Sequence, residues 1–230
     1  QGKPLLDDLI QNEVGDVSGK SLLHLLCHIG TDTLSWALLG ATVSGVDISP
    51  DALECARKLA KELDIEAEFI QSDVMNVAAK LQRTYDVVFS STGVLCWIPD
   101  IRVYAETVKK ALKPGGFFYI LDGHPFRSVF DADDGSQSED AIVGDYFRSE
   151  PWRFDDFGDY TEPDLKFETP SYEWHWKLGD VVTAFCEVGM RIEFVHEFPR
   201  YFYNGYTPCW GESEEVQRFP CTFSMKASLE

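Results

Sequence analysis

The sequence has few basic residues and no basic stripe. Lysine and arginine together number 20, against 39 aspartates and glutamates, which gives a formal net charge of −19. A surface with this excess of negative charge repels the phosphate backbone of nucleic acids. We therefore expect no nucleic-acid partner.

Long apolar runs are also missing. The run at residues 22–26 is interrupted by His24 and is far shorter than the ~20 residues that a membrane-spanning helix needs. The first residues, Gln1, Gly2 and Lys3, are not followed by a long apolar stretch, so we expect neither a signal peptide nor a membrane partner. Because the chain does not begin with methionine, we expect that it has been trimmed.

The six cysteines lie at positions 27, 55, 96, 186, 209 and 221. They form no C-x-x-C pair of the kind found in zinc sites, and they are too sparse for a disulfide scaffold. We expect reduced thiols, a cytoplasmic location and no metal site.

Apolar β-rich runs alternate with segments of helical period, which predicts βαβ units and a parallel sheet. Ser49 resembles a helix N-cap with Pro50 at the first helical position, and Lys113-Pro114-Gly115-Gly116 predicts a turn before the fifth strand. The predicted strands are residues 21–26, 42–46, 67–71, 85–90, 117–121, 192–197 and 222–227, and the predicted helices are residues 32–39, 50–63, 103–112 and 180–188.

Residues 123–177 differ from the rest of the chain. Between residues 131 and 168 there are 13 acidic and 3 basic residues, and aromatic residues are frequent throughout the segment. A long insertion without clear periodicity is typically a lid, a binding loop or disordered, and the rings argue against disorder. We interpret it as a satellite core over the sheet edge, as an acceptor pocket whose rings and carboxylates favour a cationic substrate, or as both together. Candidate substrate-binding residues are Trp97, Trp152, Tyr172 and Trp174, and candidates for proton removal are His124 and His175.

Polar residues follow several predicted parallel strands, at the edge where ligands of such sheets bind. The first strand opens into a loop ending at Gly30, and the second ends at Asp47, which could accept both hydroxyls of a ribose. Asp73 follows the third strand and could accept a hydrogen bond from the amine of adenine. These residues predict a nucleoside site, and the absence of a G-x-x-x-x-G-K-[ST] motif excludes a P-loop triphosphate site.

Five segments in register resemble the class I S-adenosylmethionine-dependent methyltransferases. They are residues 21–30, 45–49, 72–74, 85–88 and 112–116. The resemblance covers roughly residues 18–122 and implies an α/β, Rossmann-like, doubly wound and mostly parallel seven-stranded sheet, with an antiparallel last strand and the aromatic, acidic insertion after strand 5. It implies a single domain over residues 1–230, with a lead-in at 1–18 and a lid at 123–177.

The first of these segments departs from the family pattern. Where the family usually reads D-L-G-C-G-x-G, this chain has His24, Leu26 and His28 in place of the acid and the first two glycines, and it keeps Cys27 and Gly30. Histidine tolerates left-handed backbone better than most residues, so we expect the loop to form. His24 cannot supply the carboxylate that the family usually directs at the ammonium group of the cofactor.

The resemblance implies S-adenosylmethionine as cofactor and methyl transfer by in-line displacement to an amine, hydroxyl or thiol of a small molecule. The run Ser90-Ser91-Thr92-Gly93 lacks the N/D-P-P-Y/F motif of amino-group methyltransferases of nucleic acids. Alternatives are a catalytically silent nucleoside-binding protein and, because only Gly30 remains of G-x-G-x-x-G, less readily an NAD-dependent oxidoreductase. The oligomeric state is left open. The implied cofactor-binding residues are His24, Leu26, Cys27, His28, Gly30, Asp47, Ile48, Ser72, Asp73, Val74 and Ser90.

Overall fold

The protein is built around a seven-stranded sheet. The computed structural model describes residues 2–130, 142–155, 169–200 and 218–230. The strands are β1 (Ser21–Leu25), β2 (Thr42–Asp47), β3 (Ala67–Gln71), β4 (Tyr85–Ser90), β5 (Leu112–Gly123), β6 (Trp152–Phe154), β7 (Ser171–Glu173), β8 (Arg191–Phe198) and β9 (Thr222–Ser228). The large sheet has the order β3-β2-β1-β4-β5-β9-β8, and β6 pairs with β7 in a separate hairpin-like sheet. Within the large sheet, β9 runs antiparallel to its neighbours β5 and β8 and the other described pairings are parallel, which confirms the predicted fold class.

The described residues form five α-helices, which connect and cover the strands. They are α1 (Asp8–Val14), α2 (Thr31–Leu38), α3 (Pro50–Glu62), α4 (Ile101–Ala111) and α5 (Leu178–Glu187), with 3-10 helices at Val74–Ala79, Leu95–Trp97 and Pro125–Phe130. Ser49 accepts a hydrogen bond from the Ala52 amide at 3.2 Å and Pro50 opens α3, as predicted. No helix in the described ranges is long and apolar enough to cross a membrane.

The core lies on both faces of the sheet. On one face α4 and α5 pack over the central strands, with Tyr104, Phe118 and Phe185 fully buried. On the other face Trp36 packs beside Phe89, and α1 contributes Ile10 and Val14. The lead-in predicted at residues 1–18 thus contains a helix that is part of the core, which the short mixed composition of that segment did not indicate.

The structure corrects the sequence interpretation at residues 113–116. This segment was predicted as a turn before the fifth strand, but β5 already begins at Leu112 and runs through it. Gly115 has a φ of 78°, and the pairing register between β4 and β5 shifts here, so the glycines form a bulge. The amide of Gly115 donates to the Leu229 carbonyl at 2.7 Å, which extends the sheet across the predicted turn.

Candidate cofactor site

The loop after β1 adopts left-handed backbone at every second residue. The φ angles are 54° at Leu26, 48° at His28 and 76° at Gly30. Left-handed backbone costs roughly 1–2 kcal/mol at a residue with a side chain, so this chain accepts that cost at the first two positions. Gly30 must stay glycine, because a Cβ there would lie 2.9 Å from Ala56 Cβ and 3.0 Å from Phe69. The expectation that the loop forms without two of its usual glycines is confirmed.

Asp47, at the carboxyl end of β2, ties this loop to the sheet. Its Oδ2 accepts a hydrogen bond from the His28 amide at 2.7 Å, and its Oδ1 accepts one from the Ser49 amide at 2.9 Å. A carboxylate has about four lone-pair positions, so each oxygen retains capacity for a ribose hydroxyl. Ile48 beside it is 67% exposed, which leaves an apolar surface next to the carboxylate. This combination fits a nucleoside.

The residues after β3 already have structural roles. Asp73 is exposed and caps a 3-10 helix, because its Oδ1 accepts a hydrogen bond from the Met75 amide at 2.9 Å. Ser72 is buried and its hydroxyl donates to the Asp73 carbonyl at 2.9 Å, and Val74 is buried in the core. Of the three, the Asp73 carboxylate is the one that faces solvent at this edge of the sheet, and its contact with adenine stays a prediction.

His24 is a buried, neutral histidine. Its Nδ1 lies 2.8 Å from the Thr33 hydroxyl and its Nε2 lies 3.1 Å from the Ser91 hydroxyl. Burial lowers the pKa of His24 to about 3. The ring therefore bridges β1, α2 and the segment after β4, and it carries no charge at neutral pH.

Two further predicted cofactor residues direct their side chains into the core. Burial raises the pKa of the Cys27 thiol to about 12, so the thiol is not a nucleophile at neutral pH. The Ser90 hydroxyl lies 2.7 Å from that of Tyr104, and both are buried. Any cofactor contact of Cys27 or Ser90 would therefore come from the backbone.

Comparison with known proteins agrees with this geometry. Residues 23–118 match the methyltransferase domain family. The chain is 34% identical over 117 residues to a ubiquinone biosynthesis O-methyltransferase of Proteus mirabilis, covering 51% of this chain and 47% of that protein. It is 36% identical over 121 residues to the enzyme of the same name from Salmonella arizonae, covering 52% and 50%. The chain thus spans about half the length of these relatives.

A solved structure matches over nearly the whole chain. It is an S-adenosylmethionine-dependent methyltransferase from Mesorhizobium loti, with a TM-score of 0.67, 20% identity and coverage of 96% of this chain and 95% of that one. Residues 23–118 of this chain are therefore similar to a methyltransferase domain, and the sheet has the fold of that solved structure. These likenesses confirm the methyltransferase resemblance seen in the sequence over residues 23–118, and they confirm the predicted fold.

Sequence reasoning missed Asp122, the penultimate residue of β5. Its Oδ1 accepts hydrogen bonds from the amides of Gly93 at 2.6 Å and Gly123 at 2.7 Å. Its Oδ2 accepts from Leu95 at 2.9 Å and Val94 at 3.2 Å. Burial raises the pKa of Asp122, and the four amides oppose that shift. An acid ending an apolar strand, as Asp47 does, was the available signal.

The described part of the insertion docks beside the 3-10 helix that follows β4. The Trp174 amide donates to the Cys96 carbonyl at 2.8 Å, and the Trp176 indole donates to the Ile98 carbonyl at 2.7 Å. Tyr172 packs against Trp174 with ring centroids 6.4 Å apart, and Trp97 and Tyr172 are 42% and 41% exposed. Three of the four predicted substrate residues therefore lie near the carboxyl edge of β4.

The fourth, Trp152, is occupied by contacts within the protein. The Arg148 guanidinium lies 5.0 Å from its ring centroid, and the His175 ring packs edge-on at 5.7 Å. These contacts favour the satellite-core interpretation for this residue. Much of the acidic stretch at 131–168 lies outside the described residues.

The two predicted bases differ in which ring nitrogens are free. His124 accepts the Phe126 amide on Nδ1 at 3.1 Å, and its Nε2 lies 2.8 Å from Glu197 Oε1. His175 Nε2 lies 2.9 Å from the Tyr146 carbonyl, which can only accept, so this nitrogen carries the proton. Burial lowers the pKa of both rings. Within the described ranges His175 Nδ1 has no hydrogen-bond partner, so it keeps a free lone pair.

No group of three or more histidine, cysteine, aspartate or glutamate side chains is placed to hold a metal ion in the part of the chain that the structure describes. His24 is committed to Thr33 and Ser91, and the Cys27 thiol is buried. The expectation of no metal stays a prediction.

Proposed function

We propose that this protein transfers a methyl group from S-adenosylmethionine to a small-molecule acceptor. The observation that carries the proposal is the contact between the left-handed loop at 26–30 and the Asp47 carboxylate. This arrangement aligns backbone amides and a ribose-binding acid at one edge of the sheet, where parallel α/β sheets bind ligands.

The predicted contact residues lie along the carboxyl edge of the sheet in the order in which the parts of the cofactor would need them. Asp47 would accept the ribose hydroxyls, Ile48 would cover the adenine face, and Asp73 would accept from the adenine amine. When bound, the cofactor supplies a methyl group on a sulfonium whose sulfide leaves without needing a proton. The contribution of the protein is then to align donor and acceptor and to exclude water.

His175 is the better supported of the two predicted bases. A base is needed only where the acceptor is a hydroxyl or a protonated amine, and it must offer a free lone pair. His175 fixes its proton on Nε2 against the Tyr146 carbonyl, which leaves Nδ1 available. His124 has both nitrogens engaged, by Phe126 and Glu197, so its contacts support a structural role.

The charge and the insertion support a small-molecule acceptor. The net charge of −19 disfavours nucleic acid. The curated relatives are named as O-methyltransferases, which favours a hydroxyl acceptor, while the rings and carboxylates of the insertion favour an amine. The family match ends at residue 118, before the insertion that would contact the acceptor, so amine, hydroxyl and thiol acceptors all remain within the proposal.

Isothermal titration calorimetry tests the cofactor. We expect micromolar binding of S-adenosylmethionine and no binding of NAD. Binding of NAD without binding of S-adenosylmethionine would instead support the oxidoreductase alternative. Failure to bind either ligand would refute the proposal. Binding without transfer to any acceptor in a panel of amines, phenols and thiols, followed with a methyl-labelled cofactor, would favour the silent nucleoside-binding alternative.

Replacing Asp47 with alanine should weaken S-adenosylmethionine binding at least tenfold, about 1.4 kcal/mol. The change removes the proposed ribose acceptor and also frees the His28 amide that orders the loop. The matched control is Asp51→Ala, which removes the same charge from an exposed residue in the first turn of α3. Calorimetry on both variants checks the prediction, and an unchanged dissociation constant in the first would refute the ribose assignment.

The cytoplasmic location stays a prediction. It is supported by the cysteines, because Cys27, Cys55, Cys96 and Cys186 are free thiols in the described ranges. Reduced thiols of this kind are typical of cytosolic proteins.

A further inference from the structure

Asp32, in the first turn of α2, is an unusual carboxylate. Burial raises its pKa, and a hydrogen bond from Ser91 opposes that shift. It forms no ion pair with any lysine, arginine or histidine within the described ranges. The N-cap of α2 is Gly30, so Asp32 does not cap the helix through its side chain. Asp32 is only partly exposed, and a partly buried carboxylate without a cation costs free energy unless a partner compensates it.

Asp32 belongs to a connected polar group at the junction of β1 and β4. Thr33, the residue after Asp32, contacts His24 Nδ1 at 2.8 Å, and Ser91 contacts His24 Nε2 at 3.1 Å. The hydrogen bond from Ser91 that lowers the pKa of Asp32 joins the carboxylate to these residues. The neutral His24 cannot compensate a carboxylate by charge, because its pKa lies near 3. Asp32 is therefore the acid of this group, two residues after Gly30.

The sheet order places this polar group at one end of the proposed cofactor site, and the predicted nucleoside contacts lie at the opposite end. In the order β3-β2-β1-β4, Asp73 and Asp47 follow β3 and β2, whereas His24 lies in β1 and Ser91 follows β4. A ligand with its base near β3 and its ribose near β2 must direct its remaining end toward β1 and β4. In S-adenosylmethionine that end carries the ammonium group.

We propose that Asp32 binds the ammonium group of S-adenosylmethionine. It would take the role of the acid that the family usually has in β1, at the position where this chain has His24. The inference rests on the proposed function and extends it to a residue outside the recognised motifs. The cofactor supplies the cation that the partly buried carboxylate lacks. Ser91 holds the carboxylate in place, and His24 in turn holds Ser91. The ammonium group is then bound by a residue in the first turn of α2 and not by a residue of β1.

The test measures binding of three ligands to Asp32→Asn by calorimetry. S-adenosylhomocysteine carries both the ammonium and the carboxylate, decarboxylated S-adenosylmethionine carries the ammonium alone, and 5′-methylthioadenosine carries neither. We expect at least a tenfold loss of affinity for the first two ligands and less than a threefold change for the third. Retained binding of 5′-methylthioadenosine also shows that the variant is folded. Asp51→Asn, an exposed acid in the first turn of α3, is the matched control and should bind all three as the unaltered protein does.

Two outcomes would overturn the assignment: unchanged affinity of Asp32→Asn for S-adenosylhomocysteine, or an equal loss for all three ligands, which would mean a general disturbance of the site. Failure of the proposed function gives a different result, because the unaltered protein would then bind neither S-adenosylmethionine nor 5′-methylthioadenosine. As a second variant, Asp32→Glu keeps the charge and should lose less affinity for the two ammonium ligands than Asp32→Asn loses.

Discussion

Replacing Asp122 with alanine should lower the free energy of unfolding by at least about 3 kcal/mol. The carboxylate accepts hydrogen bonds from the amides of Gly93, Val94, Leu95 and Gly123, and it is buried at the end of β5. Each buried amide left without an acceptor costs about 1–3 kcal/mol. Partial relaxation and entry of water reduce the sum, which is why the expected loss is below the full value for four amides.

Thermal and chemical denaturation check this prediction. For a domain of this length, about 3 kcal/mol corresponds to a fall in Tm of roughly 6–12 °C. The matched control is Asp100→Ala, because exposed Asp100 also accepts two amides, from Arg102 and Val103 at the start of α4. Loss of such an exposed cap costs about 1 kcal/mol. Equal effects of the two substitutions would contradict a special role for burial at Asp122.

The same carboxylate shapes the segment after β4, so its removal should reach the acceptor side of the site. Gly93, Val94 and Leu95 precede Trp97, and the Cys96 carbonyl receives the Trp174 amide. Asp122 thus acts through the backbone, as a positioning residue for the place where the insertion docks.

Acidification should destabilise the protein through His24. The folded-state pKa of His24 lies near 3, whereas an unfolded histidine titrates near 6.5. Below pH 6.5 the histidine is protonated in the unfolded chain but stays neutral in the folded protein. The contribution of His24 to the free energy of unfolding is therefore fully present above pH 6.5 and is lost as the pH drops toward 3. The slope is about 1.4 kcal/mol per pH unit, which gives about 2 kcal/mol between pH 6.5 and pH 5.

A comparison of variants isolates this contribution. His24→Asn cannot take up the proton, so urea denaturation at pH 7 and pH 5 should show a loss that is about 2 kcal/mol smaller than in the unaltered protein. Asp32 and Asp122, whose pKa values are raised by burial, contribute with the opposite sign and cancel in the difference. His28→Asn, at an exposed site in the same loop where asparagine also tolerates left-handed backbone, is the control and should keep the original pH dependence. Identical pH dependence of the His24 variant and the unaltered protein would contradict the prediction.

Local patterns predicted most of the secondary structure. The strands at Ala67–Gln71 and Tyr85–Ser90 have the predicted bounds, and α3 begins at Pro50 after its Ser49 cap. The bulge at Gly115 was not predicted, because it depends on pairing with Leu229, more than a hundred residues away. The helix α1 was missed because its seven residues show too little periodicity to separate them from a loop.

The sequence by itself determined the alternation of strands and helices, the loop ending at Gly30 and the acid at the end of β2, because hydrophobic period, caps and motif spacing are properties of neighbouring residues. Only the tertiary structure decided which side chains meet between strands. It brought Asp122 to the amides of residues 93–95, His24 to Ser91, and Ser91 to Asp32. Those contacts follow from the sheet order β1-β4-β5, and that order depends on how distant apolar surfaces pack together.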